Sequence, residues 1–279
     1  LFFLFFTSII IGSESNLPLD TLLKNRMIDK NHAKLFSKVL VQDDQGRIKP
    51  FHTLSSEIIR KISRKEKVYG QDHVQIVLGM ILDPLLWQII PIIKVSHPDV
   101  LSVLNTDKNL ISFVDFFDKQ NTYILTPYVE MAYAKKPIDR TKFDKSIIEV
   151  DERVNICSML FSNQLIKIFP SKESTSAPWS FDISMQIPGL DSIKTSSFKD
   201  LYRNIVYTSF SDNDWKTSNA MIDYIKQHQQ KYAQSILPAD TKVNLELLYN
   251  NLDPFGWTRL FSIYFFTGLI LLFCLLFQI

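Results

Sequence analysis

A mainly α-helical domain with few short strands, followed by a C-terminal transmembrane helix, is the fold class this sequence predicts. Apolar residues recur at steps of three and four along most of the chain, the period of one helix face. Every Asp, Glu, Lys and Arg lies between residues 13 and 259, so the ends and the middle suit different solvents. The last twenty residues form one uncharged apolar run. Three segments follow: 1–12, the end of a membrane helix or a signal-peptide core; 13–259, a mostly helical extracytoplasmic domain; and 260–279, the transmembrane helix.

Residues 1–12, LFFLFFTSIIIG, begin at Leu1 and lack the charged region that opens a signal peptide, so they also fit the tail of a membrane helix. Together with an apolar run that reaches Ile279, they suggest a piece of a longer membrane protein, cut at both ends. The flank SESNLPLD (13–20) carries two acids and no base before Lys24, which points to the extracytoplasmic side.

Residues 31–42 place Ala33, Leu35, Phe36, Val39 and Leu40 on one broad face and predict a helix that DDQG breaks. Residues 53–65 put Leu54, Ile58, Ile59 and Ile62 opposite Glu57, Arg60, Lys61 and Arg64. Residues 72–90 are more continuously apolar and are interrupted at Asp83-Pro84. Ser112 with Asp115, and Thr141 with Asp144, match a helix-start signature. The clearest element runs from Thr141 to about Ile168, where Phe143, Ile147, Val150, Val154, Cys157 and Phe161 form a seam and Pro170 supplies the stop.

Residues 171–197 are Ser-rich with two prolines and read as a loop, within which WSFDISMQI alternates enough for a short strand. Helical spacing resumes over 198–209 and 214–236, where Met221, Ile225, His228 and Tyr232 share a face. Pro238 ends that helix and Asp240 opens another to about Leu252. In 260–279 only Ser262, Thr267 and Gln278 are polar, and twenty helical residues span about 30 Å, a bilayer core. Trp257 and Arg259 stand at the position of an interfacial anchor.

Composition excludes several functions. With 31 Lys+Arg against 29 Asp+Glu, nothing points to nucleic acid as a partner. The seven glycines never lie closer than nine residues, so neither G-x-G-x-x-G nor the P-loop can occur. His32, His52, His73, His97 and His228 are at least twenty residues apart, which excludes H-E-x-x-H and any local zinc cluster. No G-x-S-x-G occurs, and Cys157 has no neighbouring His, so no catalytic residue and no metal site stands out. Cys157 in VNICSMLF reads as a small buried hydrophobe, and C-x-x-C-H, the covalent c-type haem signature, is absent.

From Gly46 to Lys67 the chain carries Arg47, Lys49, Arg60, Lys61, Arg64, Lys65 and Lys67 against Glu57 and Glu66. This basic run is either a solvated helix face or a site for anionic groups such as lipid heads or haem propionates. His52, just after Pro50-Phe51, is the candidate axial haem ligand, with an exposed or structural histidine as the alternative. Glu149, Asp151, Glu152 and Arg153 read as a surface charge network.

The strings GRIKPFHTLSSEIIRKIS (46–63), TKFDKSIIEVDERVNICSMLFSNQLIKIFP (141–170) and APWS (177–180) together resemble the extracytoplasmic region of System II cytochrome c biogenesis proteins of the fused ResB/CcsA type. The resemblance covers most of residues 31–279. It implies a bacterial inner-membrane protein that moves haem outward and attaches it to apocytochrome c. Apocytochrome c, a thioredoxin-like thiol reductant and other membrane helices of the same protein are the partners it implies. That family's Trp-rich haem-handling segment has no match here, because Trp87, Trp179, Trp215 and Trp257 are scattered. The resemblance therefore implies a scaffold or docking role for this region, with the haem chemistry beyond Ile279. The competing reading is the extracytoplasmic ligand-binding domain of a membrane sensor or transporter.

Overall fold

Helices supply most of the fold, as the periodicity requires, and two-stranded hairpins turn the chain between them. The computed structural model describes residues 19–174, 177–186, 195–252 and 257–277, so the apolar segment 1–12 lies outside the described residues.

Helices α1 (Leu19–Asn25) and α2 (Lys30–Phe36) come first. Asp29 caps α2, its carboxylate accepting from the backbone N–H groups of Asn31 and His32 at 2.9 Å. The helix expected over 31–42 stops at Phe36. The Val-Leu-Val sequence that follows favours strand, and β1 (Leu40–Gln42) pairs antiparallel with β2 (Ile48–Pro50). Asp43 organises the intervening turn by accepting from Gln45 and Arg47 N–H, and Gly46 supplies the left-handed residue at φ 83°.

Helix α3 (Phe51–Ser63) buries Leu54, Ile58, Ile59 and Ile62 as predicted. Strands β3 (Lys67–Val68) and β4 (Gln71–Asp72) then form a tight hairpin over Tyr69-Gly70, both at positive φ. The long apolar run divides at Asp83-Pro84 into α4 (His73–Leu82) and α5 (Pro84–Ile89), and Asp83 caps the second. Every residue of α4 from Val74 to Leu82 is buried. Gly79 lies so close to Trp87 that a Cβ there would fall 2.3 Å from the indole Nε1.

Strand β5 (Ile93–Lys94), helix α6 (Pro98–Val103) and strand β6 (Leu110–Ile111) follow, with β5 and β6 paired. The Ser112–Asp115 signature yields only one 3-10 turn at Val114–Phe116, with Ser112 Oγ donating to Asp115 at 2.6 Å. Helix α7 (Thr126–Ala134) packs on α8 (Lys142–Phe161), which the Thr141–Asp144 capping box opens as expected. Helix α8 ends at Phe161, seven residues before the expected boundary, and Asn163 turns left-handed at φ 57°. Beyond it Ile166 and Ile168 are buried alternately, the period of a strand, and Lys167 and Phe169 bridge to Gln42 and Ser180. Side-chain alternation, rather than Pro170, therefore sets that boundary.

Within the Ser-rich segment, β7 (Ser184–Gln186) falls where the alternation predicts it and pairs with β8 (Thr195–Ser197). Helices α9 (Phe198–Asp212), α10 (Lys216–Ala233), α11 (Asp240–Leu252) and α12 (Trp257–Phe277) complete the chain. One core gathers buried side chains from α2 through α10, including Phe36, Phe51, Ile59 and Cys157. A smaller cluster of Leu40, Trp179, Ala233, Val243 and Leu247 sits beneath α11. Cys157 is the buried hydrophobe the sequence predicts, and burial pushes its thiol pKa up. Within α12, Leu260–Phe277 is long and apolar enough to cross a membrane, and none of it is buried by the rest of the protein.

Candidate functional site

Two helix starts meet at a polar cleft. Pro50 fixes the extended geometry from which α3 begins, and the first free N–H groups of α3 are taken by its neighbours. Phe51 N–H donates to the Val39 carbonyl at 2.7 Å and His52 N–H to the Ser37 carbonyl at 3.0 Å. The β3–β4 hairpin carries the chain back, and Asp72 and Gln75 form the capping box that opens α4. His52 in the first turn of α3 and His73 at the start of α4 thereby stand edge to face, ring centroids 4.5 Å apart.

Hydrogen bonding at this pair is incomplete. His73 Nδ1 lies 2.9 Å from Ser55 Oγ, whereas His52 Nδ1 is buried with no partner among the described residues. Burial, the larger cause, and the neighbouring His52 ring hold His73 down to about 4, against the pull of Asp72 and Glu66. Burial also lowers His52, while Asn251, Asp72, Glu66 and Glu246 pull the other way. Two helix N-termini add partial positive charge, which opposes an imidazolium in the same sense. Both rings are therefore neutral near pH 7 and keep a lone pair each for a proton donor or a metal centre.

The cleft around them measures about 700 Å³, within the range of small-molecule sites. Lys30, Lys34, Arg60 and Lys67 line it with Glu66 and Asp72, and Asn250 and Asn251 from the last turn of α11 close one side. The lining is polar rather than apolar, so the cleft suits contact with the charged edge of a ligand better than full enclosure of an apolar body.

The basic run does not survive as an open anion-binding face. Arg47 pairs with Glu246 at 3.3 Å, Lys49 with Glu57 at 2.6 Å, Lys61 with Glu152 at 2.5 Å and Arg64 with Glu149 at 3.1 Å. Arg60 pairs with Glu66. Lys65 and Lys67 are left without an ion-pair partner among the described residues. The acids on α8 thus tie α3 to α8. Two members of the expected surface network are in fact buried: Arg153, which donates to Glu149 at 2.9 Å, and Asp151, whose carboxylate accepts from Asn155 at 3.0 Å.

The other histidines stand apart. His32 is fully buried and satisfied, its ring nitrogens 2.7 Å from Asn219 Oδ1 and 2.6 Å from Tyr202 Oη. His97 caps α6, and His228 packs edge-on against Phe169. Among the described residues no three His, Cys, Asp or Glu side chains converge as a metal-binding set. Sequence reading singled out His52 but missed His73 and the Lys30/Lys34 rim. The available signal was that both histidines follow a helix-start residue on successive helices.

These features can be set beside known proteins. No family model matches the chain. The chain is similar to Protein NrfI of Wolinella succinogenes. The identity is 30% over 224 residues, which is 80% of this chain and 25% of NrfI. The chain thus spans about a quarter of the curated relative it matches.

Proposed function

We propose that this chain is the extracytoplasmic part of a membrane protein that exports haem and attaches it to apocytochrome c. In this reading residues 13–259 form a scaffold and docking domain outside a bacterial inner membrane, 260–279 anchor it, and the haem-attaching machinery lies elsewhere in a longer protein of the fused ResB/CcsA type. Apocytochrome c, a thioredoxin-like reductant and the protein's other membrane helices are its partners. Two similarities support it: the motif strings within 46–63 and 141–180, and the extended match to NrfI.

The observation that carries the local role is the placement of the histidine cleft. Asn251 lines the cleft and Trp257 starts the membrane helix, six residues on. Six residues reach at most about 20 Å, so the cleft stays near the bilayer surface. The side chains there fit haem by chemistry. His52, whose Nδ1 is buried without a partner among the described residues, and His73 offer neutral imidazoles, and Lys30, Lys34 and Lys67 offer cations for propionates. Bound there, haem would supply an iron centre for an imidazole ligand. His52 is the proposed ligand, and the polar lining makes this a transient contact.

The test is haem transfer to a reporter cytochrome in cells. Replacing His52 and His73 together by Ala is expected to lower haem-stained cytochrome several-fold at unchanged protein level. Unchanged maturation would remove haem contact from the cleft.

A further inference from the structure

The two imidazoles of the cleft are held by different neighbours. Ser55 Oγ donates to the His52 carbonyl at 3.0 Å, three residues back on α3, and lies 2.9 Å from His73 Nδ1. A hydroxyl has one hydrogen and a carbonyl only accepts, so with both contacts made His73 Nδ1 is the donor to Oγ. That fixes the His73 tautomer and leaves the lone pair on Nε2, on a ring that lines the cleft. His52 is held otherwise. Its Nδ1 is buried without a partner among the described residues, and the side chain of Asn251 hydrogen-bonds the ring, so that bond falls on Nε2.

Helix α11 is fastened just before Asn251. Thr53 Oγ1 donates to Glu246 Oε1 at 2.8 Å and accepts from Asn250 Nδ2 at 2.9 Å. Arg47 pairs with Glu246, and Val243 and Leu247 are buried beneath the helix. Asn251 follows the last of these anchors, stands one residue before the helix ends and is itself exposed. Exposed side chains change rotamer within picoseconds to nanoseconds, so Asn251 can swing off the ring while α11 stays in place.

We propose that Asn251 is a gate on His52: a ligand entering the cleft finds the His73 lone pair already set by Ser55, but reaches the His52 ring only by displacing the Asn251 amide. The ligand is of the class that an imidazole lone pair takes, a metal centre such as haem iron, so the proposal rests on the haem reading of the cleft. A hydrogen bond of ordinary net strength corresponds to roughly a two- to tenfold change in affinity. The gate therefore tunes how tightly His52 holds its ligand and does not close the cleft, which suits a site that passes its cargo on.

The test is carbethoxylation of the full chain in lipid nanodiscs with diethyl pyrocarbonate near neutral pH, followed at each histidine by peptide mass spectrometry. Asn251→Ala is expected to speed modification of His52 several-fold and to leave His73 unchanged. Asn251→Asp, which keeps the side-chain oxygen, is expected to restore the slow rate. An unchanged His52 rate would overturn the gate. An equal rise at both histidines would also overturn it, because Asn251 would then serve only to hold α11 against the cleft. Titration of the same chains with haemin, followed in the Soret band, separates the gate from the haem reading. Several-fold tighter binding by the Asn251→Ala chain supports the gate, and equal affinity in the two chains would overturn it. A faster His52 in a chain that binds no haemin would keep the gate and remove haem from the cleft.

Discussion

His32 and His52 lie twenty residues apart, each in the first turn of a helix, and the fold uses them in opposite ways. His32 is enclosed by α2, α9 and α10 and has both nitrogens hydrogen-bonded. His52 borders a cleft, stands against a second imidazole and leaves a buried nitrogen unpartnered among the described residues. A buried polar group without a partner costs about 1–3 kcal/mol. Both nitrogens of His228 are likewise buried without a partner among the described residues, so it is the combination at His52, an unpartnered nitrogen beside a second imidazole on an open cleft, that marks a place for something else to bind.

The largest expected effect separates the two sites by stability. His32→Ala removes two buried hydrogen bonds, strands Tyr202 Oη and Asn219, and opens a cavity, at a cost of about 2–4 kcal/mol in urea unfolding. His52→Ala is expected to cost about 1 kcal/mol or less, since what its ring loses is a hydrogen bond with Asn251 at the edge of the cleft. Equal losses would erase the distinction.

The next effect is pH dependence. In the unfolded chain His73 binds a proton near 6.5, and in the folded protein not until about 4. As pH falls through that window the unfolded state gains protons the native state does not, so stability declines, and above 6.5 this contribution is flat. His73→Asn should flatten the decline, whereas an unchanged slope would assign it to His32, His52 and His228, which burial also lowers.

A smaller effect tests whether the pair is coupled. His52→Asn is expected to raise the His73 pKa toward its ordinary value, because the adjacent ring helps depress it. Proton NMR of the imidazole resonances would measure this, and a His73 that titrates as before would mean the rings do not sense each other. The smallest effect belongs to the ion pairs that tie α3 to α8. Lys61→Met should cost no more than about 0.5 kcal/mol, since both partners of Lys61–Glu152 are nearly half exposed. A much larger loss would give the basic run a weight its exposure does not support.

Much of the helical fold was legible, because α3, α8, α9 and α10 bury the faces their periodicity marks. Errors came where short-range preference competed with period. Val39-Leu40-Val41 continues a helical face on paper but leads into a strand, and Leu165 to Ile168 alternates within a region of helical spacing. The transmembrane helix was legible from length alone: α12 and α4 are similarly apolar, but α4 has ten residues and is enclosed by the core. The site was half legible. His52 could be named, yet its partner arrives through the β3–β4 hairpin, and no local pattern announces that two helix starts will meet. Lys49–Glu57 and Arg60–Glu66 are local, but the pairs of Arg47 with Glu246, Lys61 with Glu152 and Arg64 with Glu149 span 85 to 199 residues and are equally invisible in the sequence.

The account rests most directly on haem attachment in living cells. The decisive measurement is haem-stained c-type cytochrome in three otherwise identical strains: one with the intact gene, one without it, and one carrying His52→Ala with His73→Ala. The account predicts no mature cytochrome without the gene and a several-fold reduction in the double variant at equal protein abundance. Normal maturation in cells that lack the gene would contradict it.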